Sequence, residues 1–185
     1  WKILEEKSHL NVGLIIDASQ RVLYQKAYSA NLGGYIDLAD FSGPQPAVLA
    51  YLGPVFEQGQ PVSGIISTEH GLLLLAAHPI LNSEASGEPH GALVFGRFLN
   101  ENLIGSISDT WIVELALFTQ GDLRLSAEEQ ALFTTLQPGA VEILEAEDHT
   151  RYVYQTIIGI PGEPVALARI PIERNISSSA QTTSI

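Results

Sequence analysis

Apolar and polar positions in the first part of the chain predict a short helix followed by a β-hairpin. Residues 2–10 carry apolar side chains at helical spacing, and we expect them to be the last turns of a helix. Residues 12–17 are an apolar run, residues 18–20 are turn formers, and residues 21–28 alternate between apolar and polar side chains. Two strand-like segments joined by a few turn residues indicate antiparallel pairing.

The centre of the chain is rich in predicted strands. Residues 62–68, 71–80 and 91–99 are strand-like, and the last two are apolar at both odd and even positions. Strands of that kind are typically covered on both faces of their sheet. Because the polar segment 82–89 is short, we predict that 71–80 and 91–99 are adjacent antiparallel strands.

Local signals place helices between these strands. Residues 46–56 have a helical apolar face that is interrupted at Pro54. Asn100 can cap a short helix, and the Ser126-to-Glu129 spacing is that of a capping box, whose helix we expect to end at Gly139. Four further strands are predicted, at residues 111–118, 140–147, 150–159 and 164–172. Since strands and helices do not alternate regularly, we predict an α+β fold, an antiparallel sheet flanked by helices.

Composition restricts the classes of partner. The chain has 9 Lys and Arg residues against 21 Asp and Glu, a formal net charge of −12. Such a chain is a poor ligand for nucleic acid, because attraction to phosphate dominates that affinity. Cysteine is absent, which excludes disulfides and thiolate metal sites. No apolar run reaches the roughly 18 residues of a membrane span. The chain starts at Trp1 without an initiator Met, so we expect a piece cut from a longer protein.

Catalytic signatures are missing from the sequence. It contains neither the nucleophile elbow of hydrolases, nor a phosphate-binding loop, nor the paired His motif of zinc proteases. The five His residues form no close pair on a predicted helix, so we expect neither a metal nor a cofactor. The chain is therefore predicted not to be an enzyme in itself.

Arg97 stands out as a charged residue in an apolar strand. It shares its strand face with Leu93 and Phe95 and needs a compensating partner if buried. One interpretation is an internal ion pair or a clamp on backbone carbonyls. The other is an anchor for a ligand carboxylate or phosphate. His78 has the same two interpretations, as a packed core or rim residue or as a ligand contact.

Several segments together resemble the fourth CHASE family of extracytoplasmic sensor domains. Residues 10–24 are similar to the opening hairpin of that family, and residues 64–68 to its next strand. The densest likeness is residues 73–99, an apolar segment ending in Ala-His-Pro-Ile, a polar loop, and the strand Gly-Ala-Leu-Val-Phe-Gly-Arg-Phe-Leu. Residues 159–174 resemble the last strand of the family, which runs toward a membrane helix.

The resemblance implies a PAS/Cache-like domain between two transmembrane helices. Residues 1–175 would be a single sensor domain, and residues 176–185 a polar linker toward a membrane helix. The domain would lie on the periplasmic or extracellular side of the cell membrane, as a homodimer in the full-length receptor. That bacterial or archaeal receptor would be a cyclic-di-GMP enzyme of the GGDEF/EAL type or a histidine kinase.

We therefore expect a non-catalytic module that binds a small molecule. The pocket is predicted under residues 33–43 and 44–56, and a small acid is one candidate ligand. The candidate contacts, chosen by chemistry and placement, are Tyr35, His78 and Arg97, with Trp111 as an aromatic wall. The alternative is a structural or dimerisation module whose pocket is filled by its own side chains.

Overall fold

The computed structural model describes residues 10–29, 33–43, 46–84, 86–146 and 150–172. Most of the predicted N-terminal helix and the whole of the tail 176–185 lie outside these ranges. Within them, no helix is both long and apolar enough to cross a bilayer. The strands are β1 Val12–Asp17, β2 Val22–Ser29, β3 Gly34–Tyr35, β4 Val62–Thr68, β5 Gly71–Ile80, β6 Gly91–Phe98, β7 Ala116–Phe118, β8 Glu142–Glu145, β9 Arg151–Ile158 and β10 Pro164–Ile172. The α-helices are α1 Gly53–Gln58, α2 Glu101–Trp111 and α3 Ala127–Thr135, and two 3-10 helices span Ala39–Phe41 and Ala47–Tyr51.

The strands pair antiparallel in two sheets, which confirms the α+β class. One sheet has six strands in the order β3-β2-β1-β6-β5-β4, and the other has four in the order β7-β10-β9-β8. Strands β5 and β6 are neighbours, with Ile80 opposite Gly91 and Leu73 opposite Phe98, as the short polar loop predicted. The first hairpin is also confirmed, because β1 pairs with β2.

The main core lies against one face of the six-stranded sheet. Alternate residues of β1, β5 and β6 point into it, and the segments between β3 and β4 cover them. The covering side chains are all fully buried: Leu38, Phe41, Val48, Leu52 and Val55.

The opposite face of the same sheet is much more open. Leu74 is 43% exposed and Ile80 is 37% exposed, although both lie in a continuous apolar run. The prediction that β5 and β6 are covered on both faces is therefore wrong for β5. Its side chains alternate between buried and exposed along the strand, as in a sheet with a single packed face.

Helix ends follow their local signals in most cases. Pro54 is in the first turn of α1, where its missing N–H costs no hydrogen bond. The Asn100 side chain accepts from the Leu103 N–H, and Ser126 forms the predicted capping box with Glu129. Helix α3 ends before Leu136 rather than at Gly139, which lies in the following turn.

The two sheets meet where the β9–β10 turn contacts the edge strand β4. The Ile160 N–H donates to the Ile65 carbonyl at 3.0 Å, and the Ile160 side chain packs against the main core. Room for it exists because residue 64 is Gly: a Cβ there would lie 2.8 Å from Ile160 Cγ1. We call this contact between Gly64, Ile65 and Ile160 the inter-sheet joint.

Candidate functional site

Three of the four predicted contact residues lie on the open face of the six-stranded sheet. Arg97 is opposite Leu74, and His78 is four residues farther along β5, so their Cα atoms are about 13 Å apart along the strand. Tyr35 is on the edge strand β3, three strands from β6 or about 14 Å. These side chains share a sheet face but do not converge on one pocket.

Trp111 does not begin a strand, contrary to the prediction, and it does not line the cavity described below. Trp111 is the last residue of α2 and is 74% exposed, and only residues 116–118 of the predicted strand 111–118 form a strand. The cause is the next residue: Ile112 adopts the left-handed conformation, with φ of 55°, and closes the helix. A β-branched residue rarely takes that conformation, so no local pattern indicated this helix end.

The space under residues 33–43 and 46–56 is not available to a ligand. Leu38, Phe41 and Leu52 occupy it, and each has no exposed surface. The pocket predicted there is therefore replaced by hydrophobic core, because the covering segments are themselves apolar at the positions that point toward the sheet.

Arg97 lacks the internal partner that one interpretation required. Its side chain is partly exposed, and it makes no ion pair or hydrogen bond within the described part of the chain. His78 Nδ1 lies 3.1 Å from the Pro79 carbonyl oxygen, a local contact on the sheet surface. The clamp interpretation of Arg97 is wrong for the described residues, and the anchor interpretation stays a prediction.

A partly buried arginine does make such a clamp, in the four-stranded sheet. Arg169 donates to Glu129 Oε1 at 3.0 Å, and the Tyr154 hydroxyl donates to the same oxygen at 2.6 Å. The second carboxylate oxygen accepts from the Ser126 N–H at 2.7 Å. The guanidinium also lies over the Phe118 ring, 4.4 Å from its centroid. The sequence revealed Glu129 as a capping residue, but not its contacts with a distant strand.

These contacts shift the acidity of both partners. Burial alone would raise the pKa of Glu129, but hydrogen bonds from Tyr154, Ser126 and Arg169 outweigh it and hold that pKa below its ordinary value of 4.5. Burial and the adjacent Glu129 carboxylate raise the pKa of Tyr154. The cluster is fully satisfied and locks α3 to the sheet, so we assign it to stability.

An open cavity of about 810 Å³ lies between the two sheets. Its walls are the start of β5, the end of β6, helix α2 and strand β7. Antiparallel pairing of β5 with β6 brings the residues just before one strand and just after the other to the same end of the sheet. The lining residues are Asn11, Ser29, Glu69, His70, Gly71, Leu72, Phe98, Leu99, Asn100, Glu101, Ile104, Gly105, Ser108, Leu115, Ala116, Leu117 and Arg124.

A second cavity of about 420 Å³ adjoins the first and shares Glu69 and Gly71 with it. It lies between the end of β4, the residues that follow β7, and the turn and first residues of β10. The backbone hydrogen bond of the inter-sheet joint, from the Ile160 N–H to the Ile65 carbonyl oxygen, is a direct contact between the two sheets.

Charged groups of the larger cavity come from both sides. Glu69 Oε1 accepts from the Ala39 N–H at 2.8 Å, and His70 Nε2 lies 3.2 Å from the Asp37 carbonyl oxygen. Arg124 donates to Asp122 Oδ2 at 2.7 Å. The hydrogen bonds from Arg124 hold the pKa of Asp122 below its ordinary value.

None of the four predicted contact residues lines this cavity. The sequence did contain a signal for it. Glu69 precedes β5 and Glu101 follows β6, so the predicted pairing of those strands placed both carboxylates at one sheet end. What the sequence could not indicate is that the second sheet would cover that end.

Comparison with known proteins identifies the domain type. The CHASE4 domain family model matches residues 4–118, more than half of the chain. No curated protein matches.

Solved structures give a likeness of fold. One is the extracellular domain of a protein described as "putative histidine kinase vpHK1S-Z8", at 14% identity and a TM-score of 0.52. The alignment covers 97% of this chain and 75% of that one. An extracellular ligand binding receptor from Desulfohalobium retbaense DSM5692 is also similar, at 15% identity and a TM-score of 0.49, over 91% of this chain and 31% of that one.

Proposed function

Because the chain belongs to the CHASE4 domain family, an extracytoplasmic sensor family, we propose that it is the ligand-sensing module of a transmembrane receptor. The observation that carries the proposal is the open cavity of about 810 Å³ between the two sheets. Its volume falls in the range of roughly 300–1,000 Å³ that small-molecule sites have. Residues 1–175 would act as one domain in this receptor, with 176–185 as the linker.

The cavity is placed where occupancy can change the shape of the domain. Phe98 and Leu72 belong to the six-stranded sheet, whereas Ala116 and Leu117 belong to the four-stranded sheet. A ligand that contacts both would favour one spacing of the sheets over another. Movement at the inter-sheet joint would then reach the chain ends, and through membrane helices the output domain. That output would be a cyclic-di-GMP enzyme or a histidine kinase, and the module itself would be non-enzymatic.

The competing function is dimerisation without a ligand. It is favoured by the open face of the six-stranded sheet, where Ile15, Leu74 and Ile80 are each more than a third exposed. Apolar side chains grouped on one sheet face are typical of a surface that packs on a partner. In the full-length receptor, a homodimer through this face would be compatible with sensing in the cavity.

A cavity-filling substitution tests the sensing proposal. Gly105 lines the cavity, and a Cβ added there meets no atom within 4 Å, so a Gly105→Trp variant should fold and fill the space. The control is Asp109→Trp, one turn farther along the same helix at an exposed residue that does not line the cavity. Thermal unfolding of all three proteins would be measured with a panel of small metabolites.

We expect at least one compound to raise the Tm of the wild type and of Asp109→Trp, but not of Gly105→Trp. Calorimetric titration would then give its affinity. A panel without any such compound, or a Tm shift that survives in Gly105→Trp, would contradict sensing in this cavity. A dimer that weakens on Leu74→Asp substitution would, in that case, favour the competing function.

A further inference from the structure

Resting on the proposed function, the composition of the cavity wall indicates which ligands it can take. We propose that its ligand carries a protonated amine and is not a net anion. The reason lies in the charged and titratable side chains that line the cavity. Arg124 and His70, which could hold an anion, already contact Asp122 and the Asp37 carbonyl oxygen. The two lining glutamates, in contrast, keep carboxylate oxygens without a partner among the described residues.

Most uncharged polar side chains of the wall are occupied by the fold. The Asn11 amide donates to the Tyr28 carbonyl and accepts from the Phe98 N–H at 2.8 Å. Asn100 caps α2, and the Ser108 hydroxyl accepts from the Leu115 N–H at 3.1 Å. These groups hold the wall together, so the charged groups decide which ligand is attracted.

Arg124 is not a free anchor for an anion. Its guanidinium forms three hydrogen bonds to Asp122, at 2.7, 3.0 and 3.3 Å, and stacks on the Phe118 ring at 4.9 Å. The Asp122 contact raises the pKa of Arg124, and the Glu101 charge adds to that effect. An anion in the cavity would have to compete with two carboxylates for this one cation. That competition disfavours acids.

Two glutamates remain as acceptors. Glu101, in the first turn of α2, makes no side-chain hydrogen bond or ion pair with any residue that the structure describes. Glu69 uses Oε1 for the Ala39 N–H and for a 3.9 Å contact with His70 Nε2, whereas Oε2 has no partner among the described residues and the side chain is half exposed. An ammonium group offers three donors and a charge of the opposite sign, and charge-assisted hydrogen bonds are the stronger kind.

The other lining residues and the net charge of the protein also favour a positively charged ligand. Leu72, Phe98, Ile104 and Leu117 line the cavity and suit a short apolar body between polar ends. The formal charge of −12 attracts cations and repels anions at long range. Arg97, the expected anchor for a small acid, is not among the lining residues.

A matched series of four-carbon probes isolates the charge of the ligand. The probes are 1,4-diaminobutane, 4-aminobutanoate, 1,4-butanediol and succinate, each titrated calorimetrically and in thermal unfolding at one ionic strength. We expect the diamine to bind most tightly, the zwitterion more weakly, and the diol and succinate not at all. Added salt should weaken diamine binding, since an attraction between charges is screened.

Single substitutions test whether the cavity carboxylates are responsible. Glu101→Gln and Glu69→Gln should each weaken diamine binding by on the order of tenfold, since one charge-assisted hydrogen bond loses its charge. In the Glu69→Gln variant, the amide oxygen of the new side chain can still accept from the Ala39 N–H. Glu128→Gln, an equal change of charge on the exposed side of α3, should leave the affinity unchanged.

The outcomes separate this inference from the proposed function. Diamine binding that is insensitive to Glu69→Gln and Glu101→Gln, or equally sensitive to Glu128→Gln, would overturn the inference. Binding of succinate or the diol, abolished by Gly105→Trp, would also overturn it while supporting a sensor cavity. If none of the four probes binds, the inference fails. The metabolite panel with Gly105→Trp then decides separately whether the cavity senses anything.

Discussion

The Tyr154 hydroxyl and the Glu129 carboxylate are joined by a hydrogen bond of 2.6 Å that ties α3 to the centre of the four-stranded sheet. Both side chains are buried. A hydrogen bond to a buried charge is among the stronger contacts in a protein, and its loss leaves that charge incompletely solvated.

Tyr154→Phe should therefore lower the free energy of unfolding by about 1.5–3 kcal/mol. The ring stays in place, so the change reports the hydroxyl alone. The control is Tyr152→Phe, because the Tyr152 hydroxyl makes no hydrogen bond within the described residues. Urea unfolding followed by circular dichroism measures both variants. Equal losses would show that the Glu129 contact contributes nothing of its own.

The stabilisation by Glu129 should depend on pH in the acid range. Its pKa is lower in the folded chain than its ordinary value of 4.5, so the folded state binds this proton less readily than the unfolded state. The contribution is full above that value and is lost as the pH falls through the lower, folded pKa. Wild type should unfold at a higher urea concentration than Glu129→Gln at neutral pH, and this difference should shrink as the pH falls below 4.5 and through the lower, folded pKa of Glu129. If the difference in urea midpoint between wild type and Glu129→Gln stays constant on acidification, the ionised Glu129 carboxylate is not the source of the stabilisation.

The two arginines on strands should differ sharply when truncated. Arg169→Ala removes the partner of a mostly buried carboxylate and should cost about 3 kcal/mol. Arg97→Ala removes no ion pair within the described ranges, and we expect a change within about 0.5 kcal/mol. Thermal and urea unfolding compare the two. A cost for Arg97→Ala as large as that for Arg169→Ala would restore the internal-clamp interpretation.

The inter-sheet joint should show coupling between Gly64 and Ile160. Gly64→Ala places a Cβ 2.8 Å from Ile160 Cγ1 and should destabilise the chain by about 1–3 kcal/mol through overpacking. In an Ile160→Ala background that atom is gone, so the same substitution should cost much less. Urea unfolding of the wild type, the two single variants and the double variant gives the coupling free energy between the two residues. Additive effects would mean that the two residues do not meet in solution.

Gly91 should tolerate no side chain. A Cβ at this position would overlap the Ile16 carbonyl oxygen on the neighbouring strand β1, and its φ is 157°. Gly91→Ala should therefore cost about 3 kcal/mol or more, because two central strands are forced apart. Gly34→Ala is the matched control, since nothing lies within 4 Å of a Cβ there. Similar thermal stability of the two variants would contradict the close approach.

Local signals in the sequence were sufficient for most helices and strands. The caps at Asn100 and Ser126 were predictable because each depends on residues only three positions away. The β5–β6 pairing was predictable because a short polar loop leaves few other arrangements.

Features that depend on distant parts of the chain were not predictable. Division of the strands into two sheets depends on pairings such as β7 with β10, about fifty residues apart, which no local pattern specifies. The cavity arises only when those sheets meet, and the Arg169 partner is forty residues away. The exposure of one face of β5 could not be predicted, because a strand that is apolar at every position has the same sequence pattern whether its second face is packed or open.

Gly91 and Gly96 both lie in residues 73–99, the stretch that is most similar to the family, and both are sites of close approach between strands. A Cβ at Gly96 would lie 2.9 Å from Leu73 and 3.1 Å from Val12, so both glycines are required by the packing of central strands. The charged residues of the cavity, Glu69, Glu101 and Arg124, all lie outside residues 73–99. Replacement of these three residues would therefore change the charge of the cavity and leave both glycine contacts in place. Relatives recognised by this stretch should share an architecture and still respond to different signals.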